Sequence, residues 1–118
     1  MICLTFFVIF RQSVFQQFLI IKKSPKAVAH IRGIDFMESE YRRVGVSQAG
    51  ISTFASLMDP TCVEEENEYL HRLIGEKDWL YQWVVLDPRQ KKTYEQAERM
   101  LTHPRVLGIK LHPSYHHY

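Results

Sequence analysis

The sequence lacks the residues that mark the common cofactor sites. Its 118 residues include only two cysteines, Cys3 and Cys62. Their separation fits no metal-ligand spacing, so they read as two free thiols in a reducing cytoplasm. Glycine occurs only five times. No strand is followed by G-x-G-x-x-G, and no G-x-x-x-x-G-K occurs, which removes the usual phosphate cradles. H-E-x-x-H, C-x-x-C and G-x-S-x-G are missing as well. The formal charge is only +2, and the basic residues form no stripe interleaved with aromatics. Nucleic acid is therefore not expected as a partner.

A long unbroken apolar run is also missing. "MICLTFFVIF" opens the chain, but Arg11, Gln12, Gln16 and Gln17 interrupt it before "FLII" resumes. A spanning helix needs about 20 mostly apolar residues, and central charge is costly in hydrocarbon. A signal peptide carries its positive charge before the apolar run, whereas Lys22, Lys23 and Lys26 follow it here. Residues 1–33 thus read as an atypical apolar segment, with Met1–Ile21 packed as a helix or strand or poorly ordered. No membrane partner is expected. A membrane-tethered α/β binding module, anchored by Met1–Ile21, is the rival reading.

What is present is ordinary for a globular domain: 46% apolar and 24% charged residues, in a length that supports one modest core. From Asp35 the punctuation is regular. "DFMESEYRRVG" reads as a short helix capped by Asp35, with Phe36, Met37, Tyr41 and Val44 near one face and Gly45 as its stop. Val46–Thr53 reads as a strand with several small residues, which admit a close neighbour. Thr61–Ile74 reads as a helix. Thr61 and Glu64 have capping-box spacing, Val63, Leu70, Leu73 and Ile74 supply its apolar side, and Gly75 stops it. Trp79–Leu86 reads as a strand covered on both faces. Thr93–Leu101 repeats the capping-box spacing with Thr93 and Gln96, and turns Tyr94, Ala97 and Leu101 inward. Val106–His112 is the next strand.

Strands and helices therefore alternate in units of about 30 residues, as in right-handed βαβ crossovers. The fold class expected is α/β: parallel strands with crossover helices, in a partial (β/α) TIM barrel over residues 34–118. An open doubly wound sheet is the other arrangement with this order, and the missing glycine fingerprint counts against it.

Both arrangements place chemistry at the C-terminal ends of the strands. Three such ends are visible: Ser52-Thr53, Leu86-Asp87-Pro88 and "KLHPSYHHY". On the last strand Gly108, Lys110 and His112 share one face, and Ile109 and Leu111 the other. If the aliphatic pair packs under helices, Lys110 and His112 point into the mouth. Two plainer roles stand beside that one. Lys110 reaches water from a strand end, or His112 bonds a neighbouring strand or caps the loop. His116 and His117 read as structural or solvated, His71 and His30 as isolated, Glu64–Glu66 as a solvated face, and Asp59 and Asp87 as Asp-Pro turn residues.

"WLYQWVVLDPRQKKTYEQAERMLTHPRVLGIKLHPSYHHY" resembles the amidohydrolase-related family of metal-dependent hydrolases and decarboxylases. The features that carry it are "VLDP" closing one strand, the "YEQAERML" helix, and "HPRVLGIKLHP" with the aromatic after it. "RVGVSQAGIST" is similar to that family's second strand. The resemblance implies a (β/α)8 barrel with one or two divalent metal ions, zinc most commonly, at the strand C-termini. It also implies a small carbonyl substrate that is hydrolysed or decarboxylated. The three strands would be the second, third and fourth. Lys110 and His112 are the catalytic candidates it singles out, and His112 is the metal-ligand candidate. Lys110 stands where some relatives carry a carbamylated, metal-bridging lysine.

The family's His-x-His metal pair does not occur here. A catalytic zinc needs about three protein ligands and an open position, and a barrel needs eight strands of consistent tilt. The chain is therefore expected to be a truncated or split barrel that is inactive alone. Self-association or a partner chain would complete it. The alternative is a non-catalytic half-barrel stabilised by such a partner.

Overall fold

A computed structural model describes Leu4–Thr5 and residues 34–118, and the chain divides into two compact units. The expectations for Met1–Ile21 and for His30 fall outside the described residues, apart from the strand at Leu4–Thr5. Among the described residues no helix is long and apolar enough to cross a membrane.

The first unit contributes helix α1 (Ile34–Arg43). Asp35 lies within its first turn rather than capping it. Of the expected apolar face Tyr41 is buried, while Phe36 and Val44 are exposed. Gly45 stops the helix, with φ +80. Its N–H bonds the Arg42 carbonyl and the Val46 N–H bonds the Tyr41 carbonyl, which together make a Schellman end. Val46 is thereby drawn into the helix terminus, one reason the following strand starts late.

The second unit holds four parallel strands in the order β1 (Leu4–Thr5), β2 (Ala49–Ile51), β3 (Leu80–Val85), β4 (Val106–Lys110). Each register is parallel. The α/β alternation and the parallel β2–β3–β4 neighbourhood match the sequence expectation. Between the strands run α2 (Phe54–Met58), a 3-10 turn (Pro60–Cys62), α3 (Val63–Glu76) and α4 (Lys91–Met100), and α5 (Pro113–His116) follows β4.

The strands are shorter than expected, for local reasons. β2 stops at Ile51 because the Ser52 hydroxyl bonds the Trp83 carbonyl at 3.0 Å, replacing a backbone rung. β4 stops at Lys110, whose carbonyl takes the Leu86 N–H at 3.0 Å. Pro113 then opens α5, with His112 as the residue before its first turn.

Both capping boxes give way to other bonds. Asp59 Oδ1 accepts from the Thr61 N–H at 2.9 Å and from its hydroxyl at 2.7 Å. A charged acceptor two residues back outcompetes Glu64, and α3 starts at Val63 without a side-chain cap. Thr93 lies inside α4, fully buried, with its hydroxyl on the Asp87 and Gln90 carbonyls. The buried face of α4 is Thr93, Gln96, Ala97 and Met100, whereas Tyr94 and Leu101 are exposed. That corrects the expected inward set by about one position.

The core lies on one face of the sheet. Val84, Leu86, Ala97 and Met100 cluster, and Val106 packs against them. Val63, Leu70 and Ile74 of α3 are buried as expected. A polar network crosses the same region. Asn67 Nδ2 donates to the Val85 carbonyl and to Gln96 Oε1, both at 2.8 Å, and its Oδ1 accepts the Val85 N–H at 3.0 Å. Gln82 Nε2 donates to the Asn67 carbonyl at 3.0 Å. On the opposite face the Trp83 ring spreads over two glycines. A Cβ on Gly108 would stand 2.9 Å from it, and one on Gly50 would stand 3.2 Å from Trp83 Nε1 and collide with Leu107. The small residues anticipated on β2 therefore make room for an indole of the neighbouring strand.

Asn67→Ala removes three buried hydrogen bonds and strands the Val85 peptide. It is expected to cost about 3 kcal/mol of stability, read as a lower midpoint in urea unfolding. A change under about 1 kcal/mol would show that water takes over those bonds.

Candidate functional site

The C-terminal ends of β2, β3 and β4 carry Ser52, Asp87 and Lys110 with His112. Ile109 is registered with Val84 and Lys110 with Val85, so Ile109 shares the helix-bearing face and Lys110 the opposite one. This is the facing read from the sequence. The covering is not as expected, because Ile109 is 43% and Leu111 50% exposed. No described helix lies over them, and among the described residues β4 has only one strand neighbour.

Lys110 and His112 are both half-buried. Burial lowers the Lys110 ammonium from its usual range. It also lowers His112, with added repulsion from Lys110 and His116. An imidazole held neutral beside a partly desolvated amine is suited to accept a proton near neutral pH, while the amine offers charge to a carbonyl or carboxylate oxygen. His112 Nδ1 is buried without a hydrogen-bond partner, and its ring lies 4.8 Å from that of Tyr115.

His116, which reads from the sequence as structural or solvated, is buried at 1% exposure, in keeping with the structural alternative. Its Nε2 contacts the Ser56 carbonyl at 2.8 Å. A carbonyl only accepts, so Nε2 carries the proton, and in the neutral ring Nδ1 keeps its lone pair. That Nδ1 is buried and has no partner. Ser56 is in turn fixed by its hydroxyl on the Thr53 carbonyl at 2.8 Å and by the Thr53 hydroxyl at 2.9 Å. One hydrogen bond thus ties the loop after β2 to the loop after β4. His117 is exposed and forms the left-handed end of α5, with φ 61.

Asp87 organises the middle strand end. It is 1% exposed. Its Oδ1 accepts the Arg89 N–H and Nε at 3.0 Å, and its Oδ2 accepts the Arg89 guanidinium at 3.0 Å and Gln90 Nε2 at 2.8 Å. The Arg89 bonds, then that of Gln90, hold its carboxyl well below the usual carboxylate range. Gln90 Nε2 also reaches the Pro60 carbonyl at 2.9 Å, and Arg89 lies over the Tyr118 ring at 5.6 Å. Asp87 is thus more than an Asp-Pro turn residue: it knits the loops after β2, β3 and β4.

The donor set does not make a metal site by itself. Among the described residues no three His, Cys, Asp or Glu side chains gather to hold an ion. The His112 and His116 rings stand 6.5 Å apart, whereas two imidazoles on one tetrahedral zinc hold their centres about 5 Å apart. No chemical step is therefore assigned to a metal on these residues.

No family model, no curated protein and no solved structure matches the chain.

Acidification below about pH 6.5 weakens the fold through His112. Its folded form resists the proton that the unfolded chain takes at the ordinary histidine pKa. Stability is full above that pH and declines as pH falls. Asp87 adds a second loss below about pH 4, as the unfolded carboxylate protonates before the folded one. Unfolding midpoints measured across pH are expected to fall in these two stages, and Asp87→Asn should shrink the second, with Asp59 and Glu68 supplying the remainder.

Proposed function

We propose that residues 34–118 carry part of a (β/α) barrel of the amidohydrolase type. Its mouth takes a small carbonyl substrate for metal-dependent hydrolysis or decarboxylation, and the chain is inactive until further strands and metal donors are supplied from outside the described residues. One observation carries this reading. Parallel strands stand in sequential order, and Lys110 closes β4 on the face opposite the helices, with His112 two residues beyond it. The resemblance of Trp79–Tyr118 to that family supplies the reaction class, and the zinc expectation rests on it alone. Lys110 is the candidate for charge against the substrate oxygen, and His112 the candidate for proton transfer or for one metal bond. The reading keeps the protein in the cytoplasm, with neither membrane nor nucleic acid as partner.

A second reading, a non-catalytic half-barrel that associates with itself or a partner, draws on a separate observation. Leu107, Ile109 and Leu111 are all exposed on or just after the edge strand. An unpaired edge with apolar neighbours invites another strand.

The test is metal analysis and hydrolase and decarboxylase assays on the purified chain, alone and with any co-purifying protein. Expected alone are less than one equivalent of weakly held zinc and no turnover. Expected with a completing partner is turnover that falls at least about 100-fold in Lys110→Ala and in His112→Ala, while His117→Ala leaves it unchanged. Turnover that survives the double change Lys110→Ala and His112→Ala would refute the site. Stable association without turnover would favour the half-barrel.

A further inference from the structure

At the other end of β3 and β4, His71, which looks isolated in the sequence, faces a second histidine, His103. His71 of α3 and His103 of the turn after α4 stand with ring centres 5.3 Å apart and planes at 73°. Their hydrogen bonds fix where each proton sits. Gln82 spends its amide N–H on the Asn67 carbonyl, so its Oε1 is the acceptor 2.8 Å from His71 Nδ1. His71 Nδ1 therefore carries hydrogen. The Arg105 backbone N–H donates to His103 Nδ1 at 3.1 Å, so that nitrogen must keep its lone pair and the neutral ring carries its proton on Nε2.

We propose that His71 and His103 form a proton-operated latch on the turn that feeds β4, and that the latch opens when His103 takes a proton. A proton on His103 Nδ1 turns an acceptor into a donor facing a donor, and the Arg105 N–H bond is lost. The same turn is held by His103 N–H on the Met100 carbonyl and Val106 N–H on the His103 carbonyl, both at 3.0 Å. It leads directly to the Arg105 carbonyl, which accepts the Gln82 N–H at 2.9 Å in the first rung between β3 and β4. Loss of the latch therefore loosens the entry of the edge strand.

The surrounding charges work in the same direction. His71 faces His103 from α3, and Arg105 faces it from the turn, with its guanidinium on the Ile74 carbonyl and its Nε buried without a partner. The carboxylate coupled to His71 is Glu68, which is occupied by Arg99 of α4 and by Gln96. Burial, then His71 and Arg105, lowers the His103 pKa. The neutral, latched form is thus favoured at neutral pH. It loses ground as pH falls from about 6.5, where an exposed histidine begins to take its proton.

The experiment is amide hydrogen exchange by NMR on the whole chain at about pH 7.5 and about pH 5.5, corrected for intrinsic rates. Arg105 is expected to lose protection at least about tenfold more than the central β3 amides at the lower pH. His103→Asn keeps a carbonyl acceptor for the N–H two residues on and does not titrate. That variant is expected to keep Arg105 protected at both values. Ring-nitrogen spectra of the unaltered chain give a second measure, with the proton expected on Nδ1 of His71 and Nε2 of His103 near neutrality. Protection of Arg105 that ignores pH, an equal loss in His103→Asn, or the opposite tautomer on His103 would each overturn the latch.

Discussion

The sheet depends on one side chain standing in for a strand. Along β3 the even-numbered backbone groups face β4, as the rungs of Gln82 and Leu86 show. The odd-numbered ones face β2, as the bond from Ser52 to the Trp83 carbonyl shows. β2 ends at Ile51, so the N–H and carbonyl of Val85 have no strand beside them. Asn67 of α3 meets both with its amide, donating from Nδ2 and accepting at Oδ1. A carboxamide has the same donor and acceptor pair as a peptide unit, so it continues the ladder where the backbone stops. Val85 is fully buried, and an unmet peptide there would cost more than a surface one. The same Nδ2 reaches Gln96 of α4, so the substitute rung also positions the helix that leads to β4.

That bond explains what was legible in the sequence and what was not. Alternation, apolar runs and breakers such as Gly45 and His103-Pro104 depend on neighbouring residues, so they revealed the α/β order and the parallel strands. Thr93 and Gln96 read as cap residues and nothing marked Asn67, yet these three and Gln82 are all buried and polar. Their partners lie up to 32 residues away, as Gln96 on the Glu64 carbonyl does, and no local pattern encodes such a pairing. The same applies at the site. Lys110 and His112 stand out in the sequence because they interrupt an apolar strand. The partner that makes His116 structural, Ser56, lies 60 residues earlier and could not be read locally. The inward face of α4 was misread for a related reason. Periodicity ranks Tyr94 and Leu101 above Thr93 and Gln96 by hydropathy, but the network needs the polar pair inside.

The two ends of β3 and β4 are built on different chemistry. At the C-terminal end Asp87 carries a fully paired charge, and the two imidazoles of His112 and His116 keep an unpartnered nitrogen each. Buried polar atoms without partners are rare and costly in folded proteins. At the N-terminal end the ring nitrogens known to bond are matched to a donor or an acceptor through His71, Gln82 and Arg105. The turn at that end keeps its Arg105 N–H bond in one protonation state of His103 and loses it in the other, while Arg105 Nε stays buried without a partner.

Support for the candidate site is lowest where its chemistry is most concentrated. β3 has a neighbour on each side and buries Leu80, Gln82, Val84 and Val85, while β4 has one described neighbour and leaves Leu107 and Ile109 exposed. Lys110 alternates with Ile109, and Leu111 and His112 follow directly. The positions that would need to be held to a fraction of an ångström for catalysis therefore stand on the least supported strand. Under the barrel reading, a strand added beside β4 and the helix that follows it would cover Ile109 and Leu111. The same addition would stiffen Lys110 and His112, because alternate residues of one strand cannot be fixed separately. On that reading, the strand that would cover Ile109 and Leu111 would also be the one that steadies Lys110 and His112.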